Sequence, residues 1–235
     1  MFSCEEREKT VAHLLETLER LQDPRYREGM ARFAIPPHRA YGVPMPKLRK
    51  IARGMRKDHQ LALRLWMVNT RETRLLASLL DLPHEVTEEQ MDSWSMDFDN
   101  WEICDQVCQN LFVHTPWAKK KSEEWTFRAE EFVKRAGFAL MAYLAVKDGE
   151  ASDQVFERFL SLIEEHALDE RKYVRQAVNW ALCQIGKRNR SLHQKAIAVA
   201  RGIREQNSPS TRFVAASALR ELQSEGVLKR LEREG

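Results

Sequence analysis

A short pattern that recurs along the chain constrains the fold more than any other feature of the sequence. Four segments each begin near a basic residue and continue with small and apolar residues at helical spacing. They are TRLLASLLD (73–81), VKRAGFALMAYL (133–144), VRQAVNWALCQIGK (174–187) and RFVAASALREL (212–222). Their basic residues, Arg74, Lys134, Arg175 and Arg212, are separated by 60, 41 and 37 residues, and the segment 100–112 falls midway in the first interval. The pattern therefore indicates repeated units of two helices each.

The period of these units predicts the fold class. A repeat of about 30 to 40 residues with two helices is typical of HEAT and armadillo proteins. No segment of the sequence shows the sustained alternation of apolar and polar residues that marks a strand. We therefore predict an all-α, HEAT-like helical-repeat solenoid, an α-α superhelix with a basic concave face. It would form one domain over residues 1–235, with capping helices in 1–58 and repeats in 59–235.

The overall charge does not identify a partner by itself. The chain has 38 Lys and Arg against 35 Asp and Glu, so the net charge is only +3. A nucleic-acid partner requires that the basic residues gather on one surface. Because the repeated helices would line the concave face, we expect their cations to lie along it. These expected DNA ligands are Arg74, Lys134, Arg135, Arg175 and Arg212, and Lys47 belongs to a further basic stretch at 47–57.

The cysteines and the apolar runs exclude several classes of protein. Cys4, Cys104, Cys108 and Cys183 form no CxxC pair and have no histidine at zinc-finger spacing. We therefore expect reduced core thiols and no metal site. No apolar run approaches the roughly 20 residues that span a bilayer, and the N-terminus lacks the pattern of a signal peptide. We expect a cytoplasmic protein that does not contact a membrane.

Three residues have side chains that are unusual for their positions in the repeats. Trp101 and Asp105 are four residues apart in NWEICD, so they share one face of a helix. Trp180 stands where the neighbouring repeats carry Ala139 and Ser217. Each has a structural alternative: a tryptophan can fill a void in the core, and an aspartate can bond to a neighbouring helix end. Arg135 likewise fits either a surface position or a contact with a phosphate.

At these residues the sequence resembles the AlkD-like DNA alkylation repair family. NWEICD is similar to the family motif with a Trp followed four residues later by an Asp, VKRAGF to the segment that supplies an Arg, and VNWAL to the one that supplies a second Trp. The resemblance extends from MARF (30–33) through YGVPMPKLRKIA to the last repeats. It implies a fold of HEAT-like repeats that binds duplex DNA and excises N3- and N7-alkylated purines without a cofactor. It also implies roles for Trp101, Asp105, Arg135 and Trp180.

Two positions depart from the family pattern. Asn100 precedes Trp101 where the characterised glycosylases tend to carry another Trp, and Phe33 stands where a Tyr is expected. Phe33 is nevertheless included among the expected DNA contacts, because it lies in the segment that resembles the family.

The sequence supports three functional hypotheses. The first is a glycosylase that releases 3-methyladenine and 7-methylguanine from alkylated double-stranded DNA, acting as a nucleoid-associated monomer. Asp105 would be its catalytic carboxylate, and Trp101 and Trp180 would hold the cationic nucleotide. The second is a non-catalytic protein that recognises damaged or branched DNA, and the third is a protein-interaction scaffold.

Overall fold

The computed structural model describes residues 3–233 of the chain, and this part is all-α, as predicted. It contains fourteen α-helices, four short 3-10 helices and no strand within the described residues. The α-helices are α1 (Cys4–Leu21), α2 (Pro24–Met30), α3 (Met45–Arg53), α4 (His59–Val68), α5 (Arg71–Leu80), α6 (Glu88–Met96), α7 (Trp101–Asn110), α8 (Ala118–Glu124), α9 (Glu131–Lys147), α10 (Asp153–His166), α11 (Lys172–Gly186), α12 (Arg190–Glu205), α13 (Pro209–Leu222) and α14 (Glu225–Arg233). No helix in the described part is both long and apolar enough to cross a membrane.

The chain divides into two compact units, residues 1–116 and 117–235. The prediction of a single domain stays a prediction. The first unit is built around α5, which packs against α3, α4 and α7. Leu75, Leu76 and Leu80 of this helix are completely buried. Nearby, the indole rings of Trp66 and Trp94 stack with their centroids 4.0 Å apart. Burial of these large apolar groups supplies most of the free energy that stabilises the unit.

The second unit shows the repeated two-helix arrangement that the sequence predicts. Helices α9, α11 and α13 pack side by side, while α12 packs against α10, α11 and α13. The three helices of the first row are those that carry the recurring pattern. Their small residues permit close approach, and Ala136, Ala177 and Ala215 are completely buried.

Gly137 shows how closely α9 approaches its neighbours. A Cβ atom at this position would lie 3.1 Å from the carbonyl oxygen of Ser122 and 3.1 Å from the backbone nitrogen of Thr126. Both neighbouring atoms belong to the backbone, so they cannot move aside as a flexible side chain would. The glycine is therefore required by packing rather than by its backbone conformation.

A cluster of charged side chains links α9 to the start of α11. One carboxylate oxygen of Asp169 lies 3.0 Å from Nζ of Lys134 and 2.6 Å from a terminal nitrogen of Arg171. Burial opposes ionisation of Asp169, but the hydrogen bonds from Arg171 and Lys134 outweigh it and lower the pKa of the carboxyl to about 2. The ionised form is therefore the one that the folded protein stabilises.

This cluster predicts how stability depends on pH. The pKa of Asp169 is lower in the folded protein than its unfolded value of 3.8. The stabilisation that the ionised carboxylate provides is therefore complete above about pH 3.8 and is lost as the pH falls towards about 2. We expect Asp169→Asn to lower the free energy of unfolding by about 1–2 kcal/mol near neutral pH. The difference from wild type should shrink below pH 4 in urea unfolding experiments. Glu170→Gln is the control, because Glu170 is exposed; an equal loss in that variant would contradict this assignment.

Candidate functional site

Helix α7 presents Trp101 and Asp105 on a face that is not sealed inside the protein. Ile103, Cys104, Val107 and Cys108 form the buried face of this helix. Trp101 and Asp105, one turn apart, are both only half-buried. Both residues are therefore partly exposed in the first unit, and their assignment to a catalytic site stays a prediction.

The start of α7 is fixed by Asn100, which departs from the family pattern. The side-chain oxygen of Asn100 accepts hydrogen bonds from the backbone N–H groups of Glu102 and Ile103, at 3.0 and 3.1 Å. The residue is only 2% exposed, and its amide nitrogen donates to Asp99. This departure has a structural explanation, because asparagine satisfies the free N–H groups at a helix start and tryptophan cannot.

This cap gives a prediction for stability. We expect Asn100→Ala to destabilise the protein by about 1 kcal/mol, because two backbone N–H groups at the helix start lose their acceptor. Asn100→Asp should retain most of the stability, since a carboxylate also caps a helix. Thermal unfolding of the three proteins measures the effect, and an alanine variant as stable as wild type would refute the capping role.

Trp101 is held in place by the segment that carries Phe33. The indole Nε1–H of Trp101 donates to the backbone oxygen of Phe33 at 2.8 Å. A 3-10 helix, Ala31–Phe33, ends here because Ala34 adopts a left-handed conformation with φ of 55°. The ring of Phe33 is 67% exposed. Two aromatic rings are therefore available to a ligand in this part of the first unit.

A buried charge network supports this region, and the sequence analysis did not find it. The guanidinium group of Arg71 donates to both carboxylate oxygens of Glu102 at 2.6 Å. It also donates at 2.9 Å to Glu72. Glu72 in turn accepts hydrogen bonds from the backbone N–H groups of Tyr41, Gly42 and Val43. The network joins α5 both to α7 and to the loop before α3.

Helix α3 lies beside α7 and carries a basic face. Arg49 of α3 donates to the side-chain oxygen of Gln106, the residue after Asp105, at 3.3 Å. Lys47 is exposed, which is consistent with its predicted role as a DNA ligand. Four further cations of this segment are exposed as well: Lys50, Arg53, Arg56 and Lys57. The exposed cations therefore concentrate positive charge on this segment, and Arg49 connects α3 to the helix that carries Asp105.

Trp180 lies in the second unit, on α11. It is half-buried, and its ring meets the ring of Tyr143 edge to face, with the centroids 4.8 Å apart and the planes at 87°. Tyr143 occupies the adjacent helix α9. This T-shaped contact orients the indole without covering it completely.

The basic residues of the repeats do not all occupy the open surface that we expected. Arg74 and Arg135 are only 5% and 6% exposed. Arg74 donates to the backbone oxygen of Asp97 at 2.8 Å and Arg135 to that of Tyr173 at 2.7 Å. The expectation of exposed positions is therefore wrong for both, because each side chain turns inward to bond a backbone carbonyl group of another helix or helix end. We do not propose them as DNA ligands.

The other three cations differ among themselves. Lys134 pairs with Asp169 and its side chain is 12% exposed, so most of its charge is compensated. Arg175 is half-buried, with its guanidinium carbon 5.0 Å from the ring centre of Phe213. Arg212 is exposed and donates to Asn207 at 2.9 Å. Arg212 is therefore the most accessible of the repeated cations.

The cysteines behave largely as expected from their spacing. Cys104, Cys108 and Cys183 are buried, whereas Cys4 is exposed, contrary to the expectation of a core thiol. Burial raises the pKa of the Cys183 thiol, which keeps it protonated. No three His, Cys, Asp or Glu side chains come together as metal ligands within residues 3–233.

These features define an all-α helical-repeat protein with a half-buried aspartate and tryptophan one turn apart on one helix. The model of the DNA alkylation repair enzyme family matches residues 14–222, and the chain belongs to this family. The resemblance drawn from the sequence motifs is thereby confirmed at the level of the family.

Two individual proteins are similar to this chain. An uncharacterized protein of Listeria innocua serovar 6a is 25% identical over 166 residues, which cover 69% of this chain and 72% of the relative. A solved structure from a new family of proteins related to the HEAT-like repeat DNA glycosylases, with affinity for branched DNA structures, has a TM-score of 0.73. The two structures share 18% identity, and the match covers 95% of this chain and 94% of the other. The HEAT-like fold predicted from the repeats is confirmed.

Proposed function

We propose that this protein is a DNA glycosylase that removes cationic N3- and N7-alkylated purines from double-stranded DNA. The observation that carries this proposal is the position of Asp105, which stays half-buried beside Trp101 while the opposite side of α7 packs into the core.

The chemistry of the substrate suits these residues. An alkylated purine such as 7-methylguanine carries a positive charge, which weakens the bond between its ring nitrogen and C1′ of the sugar. As this bond breaks, its electron pair leaves with the purine, and the sugar acquires oxocarbenium character. The carboxylate of Asp105 would stabilise the sugar and accept a proton from the water that adds to C1′. The indole ring of Trp101 would attract the cationic nucleotide, by about 0.5–2 kcal/mol. Trp180, on the second unit, would be a further aromatic contact of the DNA.

Positive charges on both units would bind the phosphates of the DNA. In the first unit these are the exposed cations of α3, including Lys47, and in the second unit Arg212. Phe33, Lys134 and Arg175 remain candidate contacts of the same DNA. We further propose that the protein acts as a monomer associated with the nucleoid.

The direct test is release of the modified base. Purified protein is incubated with duplex DNA that has been treated with a methylating agent, and the free bases are separated and quantified. We expect 7-methylguanine and 3-methyladenine to be released above the spontaneous level, leaving abasic sites in the DNA. Untreated duplex DNA is the control and should yield no free purine. Release at the spontaneous level from fully bound, methylated DNA would contradict the proposal.

A second candidate function is recognition of branched DNA without base removal. The solved structure with the same fold comes from a family with affinity for branched DNA structures, which favours this alternative. A comparison of binding to a four-way junction and to a duplex of equal length, at several salt concentrations, measures it. Preference for the junction together with no base release would favour this alternative over the glycosylase.

A further inference from the structure

A cavity in the first unit is lined by positively charged groups that the proposed chemistry does not use. It has a volume of about 410 Å³ and lies where the end of α1, helix α2, the segment 38–41 and the residue before α5 meet. The residues that matter here are Glu19, Arg27, His38, Arg39, Tyr41 and Thr70. Two of them are arginines from separate elements of the chain.

The two arginines lack the partners that other arginines of this unit have. Arg7 pairs with Asp58, and Arg71 pairs with Glu102. Within residues 3–233, by contrast, the guanidinium groups of Arg27 and Arg39 form no hydrogen bond or ion pair. Glu19 is the acidic residue of the lining, and it is exposed and bonded to neither arginine. The positive charge in the cavity is therefore available to an anionic ligand.

The walls of the cavity are fixed by buried contacts. The carboxylate of Glu72 accepts the N–H groups of Tyr41, Gly42 and Val43 at 2.9, 3.1 and 3.0 Å. The N–H of Asp23 donates to the backbone oxygen of Tyr41 at 3.1 Å, which joins α2 to the same loop. Gly42 has a φ of 82°, and a Cβ atom there would lie 2.3 Å from the oxygen of Asp23. The arginines are therefore attached to backbone that needs no rearrangement before binding.

A second, smaller cleft shares Arg39 with this cavity and reaches Asn100, the residue that caps α7. Arg74 also lines the cleft, and its Nε atom is buried without a hydrogen-bond partner. Burial lowers the pKa of Arg74, and the nearby charge of Arg39 lowers it further, although Asp97 and Asp99 oppose both effects. The cleft therefore extends from the cavity to the start of the helix that carries Trp101, and Asp99 is the acidic residue of its lining.

We propose that this cavity binds a phosphate group of a DNA strand, with Arg27 and Arg39 as its ligands. The inference rests on the proposed function in one respect, that the partner is DNA. Two guanidinium groups can each donate two hydrogen bonds to a phosphate, which an aliphatic ammonium cannot do in the same fixed geometry. The phosphate is either an internal phosphodiester or a terminal 5′-monophosphate, because both present non-bridging anionic oxygens to the two arginines.

Binding measurements on the full chain test this site. Wild type, Arg27→Gln and Arg39→Gln are titrated against a fluorescent unmethylated duplex at several salt concentrations, once with 5′-hydroxyl ends and once with 5′-phosphate ends. Each variant should bind roughly tenfold more weakly at low salt. The slope of log affinity against log salt concentration should be smaller in magnitude by about one than that of wild type. A loss with both duplexes identifies an internal phosphodiester, and a loss only with phosphorylated ends identifies the terminal group.

Two further variants make the test specific. Arg25→Gln removes an exposed cation of the same helix that does not line the cavity, so its affinity should stay close to that of wild type. Glu19→Gln removes the acidic residue of the lining and should strengthen binding. The proposal is overturned if Arg27→Gln and Arg39→Gln weaken binding no more than Arg25→Gln does.

The outcome can be separated from that of the proposed function. The titrations use unmethylated duplex and require no base release, so release from methylated DNA by the wild-type protein is measured as a separate experiment. A protein that binds through the cavity but releases no base would refute the glycosylase and leave the phosphate site established. A protein that releases bases, but whose DNA affinity is unaffected by Arg27→Gln and Arg39→Gln, would support the glycosylase and refute the phosphate site.

Discussion

Asp105→Asn is expected to lower the rate of base release by roughly 10²–10⁴-fold, the usual contribution of a positioned acid or base. Asparagine has nearly the same shape, but it carries no charge to stabilise the sugar and cannot accept a proton from water. Asp105 is half-buried on α7, so the replacement leaves the core face of that helix unchanged. Single-turnover release of 7-methylguanine by wild type and variant measures the effect.

A binding measurement and a control variant distinguish a loss of catalysis in Asp105→Asn from a loss of DNA binding. DNA affinity should not fall in Asp105→Asn, because affinity for duplex DNA depends mainly on contacts with phosphates. Glu89→Gln is a matched control, since it removes one negative charge from an exposed position on α6. Equal release by Asp105→Asn and Glu89→Gln would exclude Asp105 as the catalytic carboxylate.

Glu72→Ala should strongly destabilise the protein, because Glu72 of α5 holds the loop before α3 in place. The side chain of Glu72 is completely buried, and it accepts from three backbone N–H groups and from Arg71. Its removal leaves the charge of Arg71 incompletely compensated and three donors without an acceptor. We expect a loss of about 3–5 kcal/mol in the free energy of unfolding.

Urea unfolding at neutral pH measures this loss. Glu89→Ala is the control and should change stability by less than about 0.5 kcal/mol, because it replaces an exposed residue of α6. A Glu72→Ala protein that is as stable as this control would show that the buried network contributes nothing to the fold.

The helices of the repeats could be predicted because the spacing of their apolar residues is visible within each short segment of the sequence. The pattern at 174–187, for example, lies within α11, Lys172–Gly186, apart from one residue, and its apolar positions Val174, Val178 and Leu182 are buried. The positions of Trp101 and Asp105 on one half-buried face of α7 follow from their spacing in the same way. These features depend on contacts between residues that are close in the chain.

Features that depend on contacts between distant residues could not be predicted. Arg71, Glu72 and Arg74 are charged residues on a helix, and such residues are usually solvated. Each is buried here because it bonds to another element: Arg71 to Glu102, Glu72 to the N–H of Val43, and Arg74 to the carbonyl oxygen of Asp97. The cavity with Arg27 and Arg39 was missed for the same reason, because it joins residues from α1, α2, a loop and the start of α5.

The most direct test of the account is single-turnover release of 7-methylguanine from a duplex that contains one such base at a defined position. Protein is used in excess, so that binding is complete and only the chemical step is observed. The account predicts that free 7-methylguanine and an abasic strand form together, much faster than in buffer alone. An intact strand after prolonged incubation in the fully bound state would contradict it.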